Sequence, residues 1–111
     1  MQNTRLTKLL EFLEIQPDDP FILYALATEY NSLNDVEKAF AYYLKLVEAH
    51  SGYVGTYYHL GKLYEKSNDP EAAIQTYQKG MVIARSKGDM HAFSELQGAF
   101  NSASGLDYED D

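Results

Sequence analysis

The chain repeats its own sequence after thirty-four residues, without a gap. Leu26 and Tyr30 in the first copy correspond to Leu60 and Tyr64 in the second. A fixed period of this length predicts a repeat architecture, because each unit can then pack on an equivalent neighbour. Large residues recur as large ones and small residues as small ones, as two closely packed helices require. The same offset relates Tyr24 to Tyr58, Ala27 to Gly61, Asn34 to Asn68, Asp35 to Asp69, Glu37 to Glu71, Ala39 to Ala73, Tyr43 to Tyr77 and Lys45 to Lys79.

These positions resemble the tetratricopeptide repeat, whose pattern runs aromatic-x2-Leu-Gly-x2-Tyr, followed by Ala and an aromatic residue. In the first copy Leu23 occupies the aromatic position and Ala27 the glycine position. The final proline of the pattern is replaced by Ser51 and Arg85. The gapless register argues against the alternative, an ordinary helical bundle with accidental self-similarity. The second copy carries the pattern at Tyr57, Leu60, Gly61, Tyr64, Ala73 and Tyr77.

The resemblance implies an all-α fold, a right-handed α-solenoid of antiparallel helix pairs. It also implies a scaffold that binds other proteins, without naming a partner. The members of a packed helix pair lie closest at small residues, so we expect a tight contact at Gly61. The positions expected in the core are Leu26, Tyr30, Ala39, Tyr43, Leu60, Gly61, Tyr64, Ala73 and Tyr77.

Hydrophobic period and turn residues predict about six helices in one domain over residues 1–103. Two full repeats are expected at 20–53 and 54–87, with helices over 20–33, 36–49, 54–67 and 70–85. A helix at 4–16 resembles the second half of a preceding repeat, and a capping helix at 90–103 resembles the first half of a following one. Together they amount to three repeats, the usual minimum for a continuous core, so we expect a small free-standing domain. Residues 104–111 are expected to form an acidic, disordered tail.

Three aspartates precede predicted helices and are expected to cap them. Asp19, Asp35 and Asp69 are N-cap candidates, because a carboxylate there accepts hydrogen bonds from free backbone amides of the first turn. Pro20 and Pro70 then occupy the first helical position, where a missing N–H costs nothing.

Composition excludes several classes of function. The net charge is −8, and removing the four carboxylates of Asp107, Glu109, Asp110 and Asp111 still leaves −4. Such a surface repels phosphates, so nucleic acid is not an expected partner. No apolar run is long enough for a secretory or membrane-spanning segment, so we expect no membrane association and a cytoplasmic location. The chain has no cysteine, which excludes a disulfide framework and a thiolate metal site.

Residues typical of catalysis or of cofactor binding are not arranged for either role. His50, His59 and His91 do not have the spacing of metal ligands. The segment from Gly55 to Lys62 has the wrong spacing for a phosphate-binding loop and lies within a predicted helix. We therefore expect no metal, no cofactor and no enzymatic activity. His59 is expected to be a partly exposed surface histidine.

The resemblance implies that the first helix of each pair lines a concave groove. Carried onto this sequence, it predicts peptide- or partner-binding residues at Phe21, Tyr24, Thr28, Asn31, Tyr58, His59, Lys62 and Lys66. Tyrosine and phenylalanine give large contact areas at low entropic cost and often anchor interfaces. The hypothesis is a groove for an extended peptide or a partner helix. Tyr24 and Tyr58 could equally be core residues, and Lys62 and Lys66 could be a solvated face beside Glu65.

One family mode grips a peptide's C-terminal carboxylate with Lys, Asn and Arg side chains. The matching positions here hold Tyr24, Thr28, His59, His91 and Glu95. This carboxylate clamp is not expected, because Glu95 would repel a carboxylate where an Arg should attract it.

Two other functions remain open. The leucine-rich helix at 4–16 could form a homodimer through Leu6, Leu10 and Leu13. Alternatively, the chain could be a regulatory subunit of a larger complex, which the sequence does not distinguish from an adaptor.

Overall fold

The computed structural model describes residues 4–105, which form six α-helices and no strand. Every predicted helix is present, and no end differs by more than one residue, so the predicted all-α solenoid class is confirmed. Residues 106–111 of the predicted tail lie outside the described part, and Ser104 and Gly105 form an exposed turn. The helices are α1 (Thr4–Ile15), α2 (Pro20–Ser32), α3 (Val36–Ala49), α4 (Gly55–Lys66), α5 (Pro70–Ser86) and α6 (Met90–Ala103).

The helices group into two compact units that divide between Tyr53 and Val54. This division coincides with the predicted boundary between the repeats 20–53 and 54–87. In the first unit α2 pairs with α3, and α1 packs on α2. In the second unit α4 pairs with α5, and α6 packs on both. The extent of a single domain over 1–103 stays a prediction.

The predicted core positions are buried, with one exception. Tyr43 in the first unit and Tyr77 in the second are both 0 % exposed. Tyr64 is half-buried instead. The hydrophobic effect of removing these rings from water is the main force that holds each helix pair together. Leu23, Leu26, Ala39 and Leu46 complete the centre of the first unit, and Leu60, Leu63, Ala73, Ala84 and Leu96 that of the second.

Two glycines set the helix separations in the second unit. A β-carbon on Gly61 of α4 would lie 2.6 Å from Cζ of Tyr77, so the predicted close contact of α4 and α5 is confirmed. A β-carbon on Gly80 of α5 would lie 2.5 Å from Cβ of Tyr57 and 3.0 Å from Cδ1 of Leu96. The helices α4, α5 and α6 therefore meet at Gly80, where only a hydrogen atom fits.

All three predicted caps are present. The Asp19 carboxylate accepts hydrogen bonds from the amides of Phe21 at 2.8 Å and Ile22 at 3.2 Å. Asp35 accepts from the Lys38 amide at 3.3 Å, and Asp69 accepts from the Ala72 amide at 3.2 Å. Asp89 caps α6 in the same way, through the Ala92 amide at 3.1 Å. That last cap was not predicted, although Asp89 has the same place before its helix.

One type of turn is used three times. Asn34 and Asn68 have φ angles of 63° and 64°, and Gly88 has a φ of 73°. After each, the aspartate amide donates to the carbonyl five residues earlier, at 2.9 Å in all three turns. This left-handed closure satisfies the last carbonyls of the preceding helix. Lys87, Gly88 and Asp89 therefore form the same turn as the one inside each repeat.

Candidate functional site

Tyr24 is held in an aromatic cluster of the first unit. Its ring centroid lies 6.5 Å from that of Tyr43, edge-on, and 5.5 Å from that of Tyr53. Burial raises the pKa of the Tyr24 phenol, and the neighbouring Tyr53 raises it further. The side chain is half-buried. This environment favours the core interpretation of Tyr24 over a free groove residue.

The other candidate residues of the first unit differ in exposure. Phe21 is 66 % exposed at the start of α2. Thr28 is half-buried, and its hydroxyl donates to the Ala25 carbonyl at 3.0 Å. Asn31 has a buried amide oxygen that accepts no hydrogen bond from residues 4–105. This oxygen has almost no accessible surface, so a donor from a ligand does not reach it in this conformation.

In the second unit, Tyr58, His59 and Lys62 form a compact group on α4. The Lys62 ammonium lies 5.5 Å from the centroid of the Tyr58 ring and 4.0 Å from Oε2 of Glu65. The imidazole of His59 stands edge-on to Tyr58, with 5.6 Å between the centroids. Lys66 is exposed in the last turn of α4, where the helix dipole favours a cation.

The helix α6 brings carboxylate charge to this group. Burial lowers the pKa of the His59 imidazole, and the negative charge of Glu95 acts in the opposite direction. Nε2 of His91 lies 3.8 Å from Oε2 of the same Glu95. We call the surface formed by Tyr58, His59, Lys62 and Glu95 the α4–α6 patch. The sequence predicted that α4 and α6 contribute to one face, but it did not predict that the charge of Glu95 acts on His59.

The α4–α6 patch has groups suited to recognition. Tyr58 offers a partly exposed ring, and Lys62 offers an ammonium for an acidic group. Across residues 4–105, no three His, Asp or Glu side chains come together as metal ligands. Likewise, no described helix is both long and apolar enough to cross a bilayer.

Two apolar grooves were not predicted from the sequence. The α1–α2 groove has a volume of about 530 Å³ and includes Phe12, Ile15 and Phe21 in its lining. The α5–α6 groove, of about 670 Å³, is lined by Met81, Val82 and Arg85 of α5 and by two rings of α6. Those rings belong to Phe93 and Phe100. The sequence signal was weak, since an isolated Val82 or Ile15 on a polar helix face does not reveal a groove.

The leucines proposed for a homodimer are not the most exposed apolar residues of α1. Leu6, Leu10 and Leu13 are half-buried. Phe12 and Ile15 are 52 % and 76 % exposed. The apolar surface that α1 offers to a partner therefore centres on Phe12 and Ile15.

Comparison with known families agrees with this architecture. The family model for the tetratricopeptide repeat matches residues 22–50 and 54–87, which is more than half of the chain. The chain belongs to the tetratricopeptide repeat family. The two matched segments lie one in each compact unit, as the thirty-four-residue period predicts. No curated protein matches the sequence.

Solved structures support the same assignment. The solution structure of a tetratricopeptide repeat domain protein from Salinibacter ruber is 45 % identical, with a TM-score of 0.78, and the match covers 86 % of this chain and 96 % of that one. A crystal structure of a tetratricopeptide repeat domain protein from the same organism is 48 % identical over 79 % of this chain and 98 % of that one, with a TM-score of 0.76. A protein from Bordetella parapertussis, 22 % identical over 96 % of this chain and 92 % of that one, shares the fold with a TM-score of 0.80.

Proposed function

We propose that the protein is a binding module that holds an extended peptide or a partner helix against the α4–α6 patch. The observation that carries this proposal is the arrangement around Tyr58. Its half-exposed ring has the Lys62 ammonium above one face and His59 at its edge. An aromatic side chain that is already fixed loses little entropy on binding and makes an effective anchor.

The charges of the patch define the ligand's chemistry. The Lys62 side chain is 46 % exposed and only loosely paired with Glu65, so it can attract an acidic group. Glu95 on α6 adds a negative charge that acts on His59. A segment with an apolar or aromatic residue next to an acidic one, followed by a basic or neutral one, suits this distribution. By the same reasoning, the proposed ligand does not present a terminal carboxylate to Glu95.

The other predicted contact residues stay part of the proposal, each within its own unit. In the first unit, Phe21, Thr28 and Asn31 stay predicted ligand contacts. Tyr24 supports α2 through its aromatic cluster rather than acting as a main anchor. Lys66 contributes charge at the end of α4.

The family generally mediates protein–protein interaction, and its members are typically scaffolds without catalytic activity. A non-catalytic adaptor that binds another protein in the cytoplasm, and no nucleic acid, is therefore part of the proposal. A regulatory subunit of a larger complex would use the same patch and would differ only in what binds it.

The experiment compares capture of partners from a cell lysate by matched lysine variants. Lys62→Glu reverses the charge over Tyr58, whereas Lys38→Glu reverses a charge that also lies 5.5 Å from a tyrosine centroid, that of Tyr30. Tyr58→Ala removes the anchor itself. Circular dichroism first establishes that all variants fold.

We expect wild type and Lys38→Glu to retain a partner. We expect Lys62→Glu and Tyr58→Ala to lose that partner. Equal retention by all four proteins would exclude the α4–α6 patch as the binding surface. Equal loss in Lys38→Glu and Lys62→Glu would mean that general charge, rather than this patch, controls binding.

A further inference from the structure

Exposed apolar side chains are concentrated at two places. Seven large hydrophobic side chains within residues 4–105 are exposed, and four of them line one or the other groove. Phe12, Ile15 and Phe21 line the α1–α2 groove, and Val82, 68 % exposed, lines the α5–α6 groove. A partner that covers these side chains would remove their apolar surface from water.

The two grooves differ in the helix that each would accept. Each repeat has a first helix, such as α4, and a second helix, such as α5. In the α5–α6 groove, α5 is a second helix and α6 resembles a first helix, so another second helix would continue the repeat there. In the α1–α2 groove, α1 resembles a second helix and α2 is a first helix, so the first helix of a preceding repeat would fit there. The chain has both: α1 has the register of a second helix, and α6 has the register of a first.

We propose that the two grooves are the halves of one contact between copies of this chain. Helix α1 of one copy lies in the α5–α6 groove of another, while α6 of that other copy lies in the α1–α2 groove of the first. The helix α6 of one molecule and α1 of the next then form a complete repeat in trans. Each such contact therefore covers the α5–α6 groove of one copy and the α1–α2 groove of the other.

Charge and apolar surface agree with this pairing. Among residues 4–105, Arg85 is the only charged residue that lines the α5–α6 groove, and its guanidinium lies 4.7 Å from the Phe93 ring centroid. On α1, Glu11 precedes Ile15 by one helical turn and is exposed on the same side. Corresponding helices of stacked repeats run parallel, so the C-terminal halves of α1 and α5 would meet. Ile15 would then cover Val82, and Glu11 would face Arg85.

This contact is heterologous, because different surfaces of the two copies meet. Each copy keeps one groove free after pairing, so association continues to larger species as concentration rises. An isologous dimer through α1 alone, the alternative from the sequence, would instead stop at two copies and would leave the α5–α6 groove open.

The test uses sedimentation equilibrium of the full chain and two exposed-site variants. Ile15→Glu blocks the α1 surface, and Val82→Glu blocks the α5–α6 groove. Leu44→Glu is the matched control, because Leu44 is 46 % exposed and lines neither groove. The wild type and the control should exceed twice the single-chain mass of 12.6 kDa at high concentration. Each blocked variant alone should remain at the single-chain mass.

The decisive sample is a mixture of the two blocked variants. Each retains the surface that the other has lost, so the mixture should reach twice the single-chain mass and no more. A wild type that keeps the single-chain mass up to millimolar concentration would overturn the proposal. So would association by Val82→Glu alone, which indicates an isologous α1 dimer, or by Ile15→Glu alone, which indicates an isologous α5–α6 dimer.

A charge exchange adds a second test that leaves the apolar residues intact. Arg85→Glu should weaken association several-fold, and an equimolar mixture of Arg85→Glu with Glu11→Arg should associate more strongly than either variant alone. If the mixture is no stronger than its components, Glu11 and Arg85 do not face each other and the proposed orientation is wrong.

Discussion

The hydroxyl of Tyr77 on α5 donates a hydrogen bond to a carboxylate oxygen of Glu65 on α4. Burial, and then this hydrogen bond, raise the pKa of the Tyr77 phenol well above its ordinary value. The same ring packs against Gly61. One side chain thus fills the space between the two helices and also satisfies a partly buried charge.

Replacing Tyr77 with Phe should lower the free energy of unfolding by about 1–2 kcal/mol, because Glu65 loses a charged hydrogen bond in a partly buried position. The Glu65 side chain is 33 % exposed, so water compensates for part of the loss. Urea unfolding of Tyr77→Phe, Glu65→Gln and the double variant measures the pair. If the two single effects add fully in the double variant, the two side chains are not energetically coupled.

Gly61→Ala should destabilise the protein by about 1–3 kcal/mol, because the added methyl group overlaps the Tyr77 ring. Gly98→Ala is the matched control, since a β-carbon there would have no neighbour within 4 Å. In mid-α6 this control should be stabilising by about 0.5–1 kcal/mol. Equal melting temperatures for the two variants would contradict the close contact of α4 and α5.

Asn68→Ala should cost about 1–2 kcal/mol, because its φ of 64° is unfavourable for a residue with a β-carbon and no local hydrogen-bonding side chain. Asn68→Gly should be neutral or stabilising at the same position. Ser67→Ala is the control, because Ser67 has an ordinary φ of −93°. A higher melting temperature for Asn68→Ala than for Asn68→Gly would contradict this left-handed turn.

Acidification should destabilise the second unit through His59. Since burial lowers the folded-state pKa of His59, the unfolded chain binds the proton more readily. The stability contribution is present above the ordinary histidine pKa of about 6.5 and is lost as pH falls below it. His59→Gln should show a smaller fall in urea midpoint between about pH 7.5 and about pH 5.5 than wild type.

His91→Gln tests the route through Glu95, because Nε2 of His91 lies 3.8 Å from the carboxylate whose charge acts on His59. An identical pH dependence in wild type and His59→Gln would show that His59 is not the group responsible.

Local features of the fold were predictable because they depend on neighbours in sequence. The caps at Asp19, Asp35 and Asp69 follow from a carboxylate beside free amides, and each was correctly predicted. Helix starts followed from these aspartates and from Pro20 and Pro70. The repeat period added the pairing of helices, since equivalent residues in both copies must pack in equivalent ways.

Positions on the candidate surface were harder to assign. Tyr24 and Tyr58 occupy the same place in the two copies, and the sequence treats them alike. In the structure Tyr24 packs against Tyr43 and Tyr53, whereas Tyr58 is flanked by His59 and Lys62. Their different surroundings arise from neighbours that the repeat does not preserve.

The sequence by itself determined the family, the six helices, their caps and the close contact at Gly61, because a repeated pattern of large and small residues constrains local structure and pairing together. Only the tertiary structure decided that Glu95 acts on His59, that Gly80 joins three helices, and that Phe12, Ile15 and Val82 line open grooves. Those facts depend on how distant segments pack. Exposure in particular is a property of the surroundings, which no single helix pattern contains.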